Sequence, residues 1–192
     1  MTVSADSIEQ QKQKSEIFLL DLENGVPVPD WLDKSSHYAN IEWLLLNSIY
    51  ISAYSFFEHH LLNLATVVET KSDYNIKLNN IAGKGVFKYR DYLFLVGGFQ
   101  AADSIRKEWQ EVDKYNKTRN LIVHTGGQML KDTSQKLEQH QCYSFLKEHN
   151  VIMAGLLGHI RIRNISFIQS FVNVALLISD NLISELNSRL ES

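Results

Sequence analysis

The stretch WLLLNSIYISAYSFFEHHLLNLATVV, residues 43–68, decides the fold class expected of this chain. It is apolar almost all round, which is typical of a helix that lies at the centre of a domain. Both prolines of the chain precede it, so no proline interrupts a helix from here onward. We predict a central helix that begins near Ser35 or Ser36 and ends at about Thr70.

One stripe of this helix contains small and polar side chains at helical spacing, namely Ser48, Ser52, Ser55 and His59. Small side chains allow another helix to approach closely. The helix that approaches belongs either to the same chain, in which case the stripe is core packing, or to another copy, in which case it is a dimer seam. We favour core packing, because helix stripes mostly serve packing within one domain.

The polar segment before the central helix has helix signals of its own. Asp6, with Glu9 three residues later, resembles a capping box, and Gly25 is suited to end a helix. We therefore divide the chain into an N-terminal helix and linker, residues 1–30, and a helical domain, residues 31–192. The N-terminus lacks the apolar run of a signal peptide, and we expect a cytoplasmic protein.

Two more helices are predicted before the C-terminal part of the chain. The first covers Val86–Val96 and ends at Gly97-Gly98. The second runs from Ala101 or Asp103 to His124, where a glycine pair follows. The predicted fold class is therefore all-α.

The C-terminal part contains a short hairpin and a long helix. Residues 150–163 alternate well enough for two short strands, with glycines at the turn. Ser166 and Gln169 form a plausible capping box at the start of the last helix. The side chains expected to face the core from this helix are Phe167, Phe171, Val174, Leu177, Ile178, Leu182 and Leu186.

Composition limits the possible functions. The 192 residues are 44% hydrophobic, as in an ordinary globular domain, and the single cysteine, Cys142, excludes an intrachain disulfide. The net charge of −3 argues against a general nucleic-acid coat, so an RNA contact needs a local basic patch. Polar side chains interrupt the apolar runs 41–68 and 165–183, which we interpret as buried helices rather than membrane spans.

The stretch KTRNLIVHTGG, residues 117–127, carries the residues most suited to chemistry. Arg119 keeps its charge at all relevant pH values and binds phosphate, while the imidazole of His124 exchanges protons near neutrality. Asn120 precedes His124 by four residues, so the two side chains can touch on a helix. In the alternative interpretation, Arg119 pairs with an acidic side chain, Glu111 or Asp113, and His124 is a simple cation at the helix end.

These residues resemble the motif of the HEPN family, in which arginine and a polar residue, often asparagine, precede histidine at this spacing. The stretch from Ser52 to Glu58 is similar to an early family helix with an aromatic residue and a glutamate. The stretch from Trp109 to Tyr115 is similar to the residues that precede the motif. The resemblance covers about residues 36–190.

The resemblance implies an antiparallel helical bundle, a homodimer, and metal-independent RNA cleavage at a site composed from two copies. Arg119, Asn120 and His124 would be the catalytic residues. Glu58 would support the site, and Lys117 adds positive charge beside it. No metal and no cofactor are implied.

Family members serve as toxins and in defence, and some keep the fold without catalysis. This chain contains no nucleotidyltransferase module, so any antitoxin would be encoded separately. A non-catalytic helical dimer that binds a protein partner or a nucleotide is therefore the alternative function.

Overall fold

The structure, a computed structural model, describes residues 30–71, 75–100 and 104–190. The predicted N-terminal helix lies outside the described residues. The described part is mostly helical with one small antiparallel sheet, which confirms the predicted helical class. The chain divides into two units, Met1–Glu42 and Trp43–Ser192, and the second contains the core.

The predicted central helix is present as helix α1, Asp30–Lys71. It begins about five residues before the predicted start near Ser35. Proline restricts the residue that precedes it, not the residue that follows, so Pro29 is compatible with a helix from Asp30 onward.

A short helical region follows a loop and a single 3-10 turn, Leu78–Asn80. Helix α2, Gly85–Asp91, continues into one π-helical turn, Tyr92–Val96, which stops at Gly97. This agrees with the predicted helix over 86–96.

The remaining helices are α3, Arg106–Thr125, α4, Tyr143–Glu148, and α5, Ile165–Leu190. Helix α3 ends at Gly126, which adopts the left-handed conformation with φ of 63°. Such a residue ends a helix without steric cost only when it lacks a side chain.

The predicted hairpin is present between α4 and α5. Strand β1, Ile152–Ala154, pairs with β2, His159–Arg161, in antiparallel register, with Ile152 opposite Arg161. Both turn glycines have positive φ values, 69° at Gly155 and 67° at Gly158.

The predicted capping box at Ser166 is wrong. Helix α5 already begins at Ile165, and the Asn164 side chain accepts a hydrogen bond from the Ser166 backbone N–H at 2.9 Å. Asn164 therefore caps the helix, since an asparagine oxygen binds the free N–H groups of a first turn well.

Helices α1 and α3 run in opposite directions across the core. The rings of Tyr50 and Tyr115 are 6.4 Å apart between centroids, and those of Phe57 and Trp109 are 6.3 Å apart. Later residues of α1 thus meet earlier residues of α3.

Helix α5 runs in the same direction as α1 and packs beside both helices. Tyr50 lies 5.0 Å from Phe167, and Tyr54 lies 5.5 Å from Phe171, between ring centroids. Phe171 also contacts Tyr115 on α3 at 5.1 Å. One aromatic cluster therefore joins the three long helices.

The interpretation of the small-residue stripe of α1 as core packing is wrong. Ser48, Ser52, Ser55 and His59 are exposed. The opposite face is buried because it has larger apolar side chains at the same spacing, and its members are Tyr50, Tyr54, Phe57, Leu61, Leu64, Ala65 and Val68.

Most of the predicted inner face of α5 is correct. Phe167, Phe171, Ile178 and Leu182 are buried, but Leu177 is 46% exposed. By length and composition alone, the segment Ile165–Arg189 could also cross a membrane. Only 33% of this segment is buried, and a single helix of this kind is weak evidence for a membrane span.

Candidate functional site

The Arg119 side chain lies between α3 and α1 rather than on the outer face of the motif helix. It is half-buried, and its guanidinium carbon is 6.0 Å from the centre of the Tyr54 ring. The Nε atom is buried without a hydrogen-bond partner. No carboxylate among the described residues lies within ion-pair distance, so the predicted alternative of a salt bridge to Glu111 or Asp113 is wrong.

Asn120 contacts the guanidinium directly, and Asn116 contacts Asn120. Arg119 Nη1 donates to Asn120 Oδ1 at 3.1 Å, and Asn120 Nδ2 lies 3.5 Å from Asn116 Oδ1. The three side chains form a polar cluster on α3 that still leaves guanidinium N–H groups without an acceptor. Asn120 thus orients Arg119, whereas its spacing in the sequence also allowed a contact with His124.

His124 occupies the last turn of α3, and its side chain is exposed. No hydrogen bond joins it to any described residue, Asn120 included. Arg119 and His124 are five residues apart, which is about 140° of rotation around the helix axis. Within one chain the two side chains therefore point in different directions.

The Tyr54 hydroxyl shares the surroundings of the guanidinium. Burial raises its pKa, the negative charge of Glu58 raises it further, and Arg119 opposes these effects. Tyr54 therefore stays protonated and neutral beside Arg119, so it does not neutralise the guanidinium charge.

The end of α3 is fixed to the hairpin, and the hairpin is fixed to α1. Gly127 accepts a hydrogen bond from the Ile160 N–H at 2.9 Å, and a side chain at Gly127 would lie 3.3 Å from the Ile160 carbonyl oxygen. Asn47 Nδ2 donates to the Ile160 carbonyl, and Asn47 Oδ1 accepts from the Ile162 N–H. These contacts set the position of the turn that carries His124.

A second link fixes α3 one turn before Arg119. The Tyr50 hydroxyl donates to the Tyr115 carbonyl oxygen at 2.6 Å. In an α-helix this carbonyl also accepts the backbone N–H of residue 119. The backbone position of Arg119 is thus tied directly to α1.

The two predicted supporting residues lie on different sides of the motif. Glu58 faces Gly85, where an added Cβ would lie 3.0 Å from the Glu58 Oε1 atom. No ion pair joins it to Arg119 among the described residues. Lys117 pairs with Asp113 at 2.7 Å across the exposed face of α3, and this hydrogen bond raises the Lys117 pKa.

Sequence reasoning did not assign the aromatic residues on α1 to the site. Tyr50 and Tyr54 are spaced four residues apart on the face of α1 that meets α3. Their spacing indicates a helix face, but nothing in the sequence alone places that face against Arg119.

The cluster offers a fixed cation, which suits an anionic ligand, and the exposed imidazole of His124 lies outside the cluster on the same helix. In the described part of the chain, no group of three or more His, Cys, Asp or Glu side chains is arranged to hold a metal ion.

No family model matches this chain, and no curated protein or solved structure is significantly similar to it.

Proposed function

We propose that this protein is a metal-independent endoribonuclease of the HEPN type that acts in the cytoplasm as a homodimer, in a toxin or defence role. The proposal depends mainly on one observation, the surroundings of the Arg119 guanidinium. Its guanidinium is oriented by Asn120, has no carboxylate partner among the described residues, and precedes an exposed His124 on the same helix. A preorganised cation of this kind binds a phosphate group well.

RNA supplies its own nucleophile in this reaction. His124 of one copy accepts the proton of the 2′-hydroxyl, and the 2′-oxygen attacks the neighbouring phosphorus. The bond to the 5′-oxygen breaks, and the protonated His124 of the second copy donates a proton to that oxygen. The products are a 2′,3′-cyclic phosphate and a 5′-hydroxyl, while Arg119 stabilises the charge on the phosphate oxygens.

A homodimer explains how one motif performs both proton transfers. A single histidine does not act as acid and base in the same step, whereas a two-fold axis supplies two identical motifs. Exposed apolar side chains on the outer faces of two helices favour self-association, namely Leu45, Ile49 and Phe56 on α1 and Leu176 and Leu177 on α5.

The decisive experiment is cleavage of a broad RNA pool in the presence of EDTA. We expect the unaltered protein to cleave and His124→Ala to lose at least about 100-fold in rate, since a general acid or base contributes this much or more. His59→Ala is the matched control, because His59 is also exposed but lies on α1. Cleavage that disappears with EDTA, or product ends other than a cyclic phosphate and a 5′-hydroxyl, would contradict the mechanism.

The second candidate function is a non-catalytic HEPN-like dimer that binds a protein partner or a nucleotide. It is favoured by an apolar groove of about 470 Å³ between α1 and α5, which Phe56 and Leu176 help to line. In this case Arg119 and His124 are structural, or they bind a nucleotide without cleaving it. If they are structural, Arg119→Ala and His124→Ala should each lower the melting temperature clearly. Unchanged melting temperatures together with lost cleavage would exclude this alternative.

A further inference from the structure

A large cleft lies beside the cluster of Arg119, Asn120 and Asn116, on another face of α3. Its volume is about 750 Å³, and its walls come from α2, α3 and the segment that leads into α4. This size is typical of sites for small molecules and cofactors. Neither Arg119 nor His124 lines it.

Basic side chains dominate the wall of this cleft. Four cations line it, namely Arg90, Arg106, Lys114 and Lys117. Asp91 pairs with Arg90, and Asp113, which also lines the cleft, pairs with Lys117. In a chain with a net charge of −3, this grouping of four basic side chains around one cleft is a specific feature.

The positive groups are held in place by aromatic rings. The Arg90 guanidinium carbon lies 4.8 Å from the centre of the Phe87 ring and 5.8 Å from that of Trp109. The Lys114 ammonium lies 5.6 Å from the centre of the Phe145 ring. Stacked cations of this kind are partly ordered before a ligand arrives, which lowers the entropic cost of binding.

The same basic side chains determine the hydrogen-bonding character of the wall. Arginine and lysine side chains can only donate, and four of the lining residues are of these two types. Gln110, Gln141 and Asp113 add acceptor oxygens. The positive charge and the donors make an anion with acceptor oxygens the complementary ligand.

We infer that this cleft binds a phosphorylated ligand of nucleotide size, either a free nucleotide or one nucleotide unit of an RNA chain. The site is separate from the proposed catalytic cluster, and the inference does not require that the protein cleaves RNA. It nevertheless has a geometric relation to that cluster. Lys117 and His124 lie seven residues apart on one side of α3, which corresponds to about 10 Å along the helix.

Calorimetric titration of the full chain with adenosine 5′-monophosphate tests this inference, with adenosine as the ligand that lacks the phosphate. We expect the monophosphate to bind and adenosine to bind at least about tenfold more weakly, because the positive charge of the cleft acts on the phosphate. Lys114→Glu should weaken monophosphate binding by about tenfold or more. Lys131→Glu makes the same charge change at an exposed position outside the cleft and should leave binding unchanged.

A short 2′-O-methyl RNA, which cannot be cleaved, separates the two sources of the phosphate. If Lys114→Glu weakens binding of the monophosphate, a free nucleotide is sufficient as a ligand. If only the RNA binds and Lys114→Glu weakens that binding, the RNA chain is the source of the phosphate. If Lys114→Glu and Lys131→Glu bind both ligands equally, the inference is wrong.

The outcome is independent of the ribonuclease proposal. His124→Ala should bind the cleft ligand with unchanged affinity, since His124 does not line the cleft. Lost cleavage with intact binding leaves the cleft assignment standing. If cleavage is intact but binding does not depend on Lys114, only the cleft assignment is wrong.

Discussion

Asn47 on α1 and Arg119 on α3 are polar side chains placed against the core, yet their surroundings differ. Asn47 is 4% exposed, and both ends of its amide are hydrogen-bonded to the backbone around β2. Arg119 is half-buried, contacts Asn120 and the Tyr54 ring, and leaves its Nε atom without a partner.

This difference distinguishes a polar group that holds the fold from one that is available to a ligand. The amide of Asn47 is buried, and both its nitrogen and its oxygen are already hydrogen-bonded to the backbone, so it is not accessible to a ligand. The Arg119 guanidinium keeps unused donors and an uncompensated charge, which is costly in the free protein and favourable when an anion binds. We expect substitutions at Asn47 to act on stability and those at Arg119 to act on activity.

The largest effect is expected for Arg119→Lys on RNA cleavage. Lysine keeps the charge but loses the planar set of donors that Asn120 orients, so the rate should fall by about 100- to 1,000-fold, or about 3–4 kcal/mol of activation free energy. Single-turnover kinetics under saturating protein measure this directly. Lys107→Arg, on the same helix, serves as the control. A cleavage rate within about threefold of the rate of the unaltered protein would show that Arg119 does not take part in the mechanism.

The next largest effect is expected for Asn47→Leu on stability. This change leaves the Ile160 carbonyl and the Ile162 N–H buried without a partner, which should lower the free energy of unfolding by about 2–3 kcal/mol. Urea denaturation measures the loss as a lower midpoint with an unchanged slope. Asn63→Leu, at an exposed position of the same helix, is the matched control. Equal midpoints for the two variants would show that the hairpin is not held through Asn47.

The smallest effect is expected for Tyr50→Phe. The change removes the hydrogen bond to the Tyr115 carbonyl but leaves that carbonyl its helical partner, so the loss should be about 1 kcal/mol in the free energy of unfolding. Tyr143→Phe is the control for loss of a hydroxyl outside this contact. Because Tyr50 positions the turn before Arg119, cleavage should fall only modestly. A loss of cleavage as large as that of Arg119→Lys would mean that Tyr50 belongs to the site itself.

Local signals in the sequence were sufficient for most of the elements. Gly126 marks the end of α3 because a residue without a side chain tolerates the left-handed conformation found there. Gly97 ends the π-helical turn for a different reason, since a Cβ at this position would lie 2.6 Å from the Leu93 carbonyl oxygen. The hairpin followed from alternation and turn glycines. The errors arose where a neighbour decides the outcome, as at the α1 serine stripe and Leu177, since sequence periodicity does not say which of two apolar faces is covered.

The candidate site was predicted only in part. The spacing of Arg119, Asn120 and His124 identified a motif in which Asn120 and His124 can touch. In the structure the Arg119 guanidinium donates to the Asn120 oxygen, and no hydrogen bond joins Asn120 to His124. The Lys117 side chain forms an ion pair with Asp113 and lines the basic cleft.

The sequence by itself determined the long helices, the helix ends at Gly97 and Gly126, the hairpin and the presence of an arginine–histidine motif, because these depend on contacts within a few residues. Only the tertiary structure decided that Tyr54 of α1 lies against Arg119, that Asn47 joins α1 to β2, and that α2 and α3 enclose a basic cleft. These features bring together residues far apart in the chain. Their pairing depends on which surfaces pack against each other, and that choice minimises exposed apolar area over the whole domain rather than within any one segment.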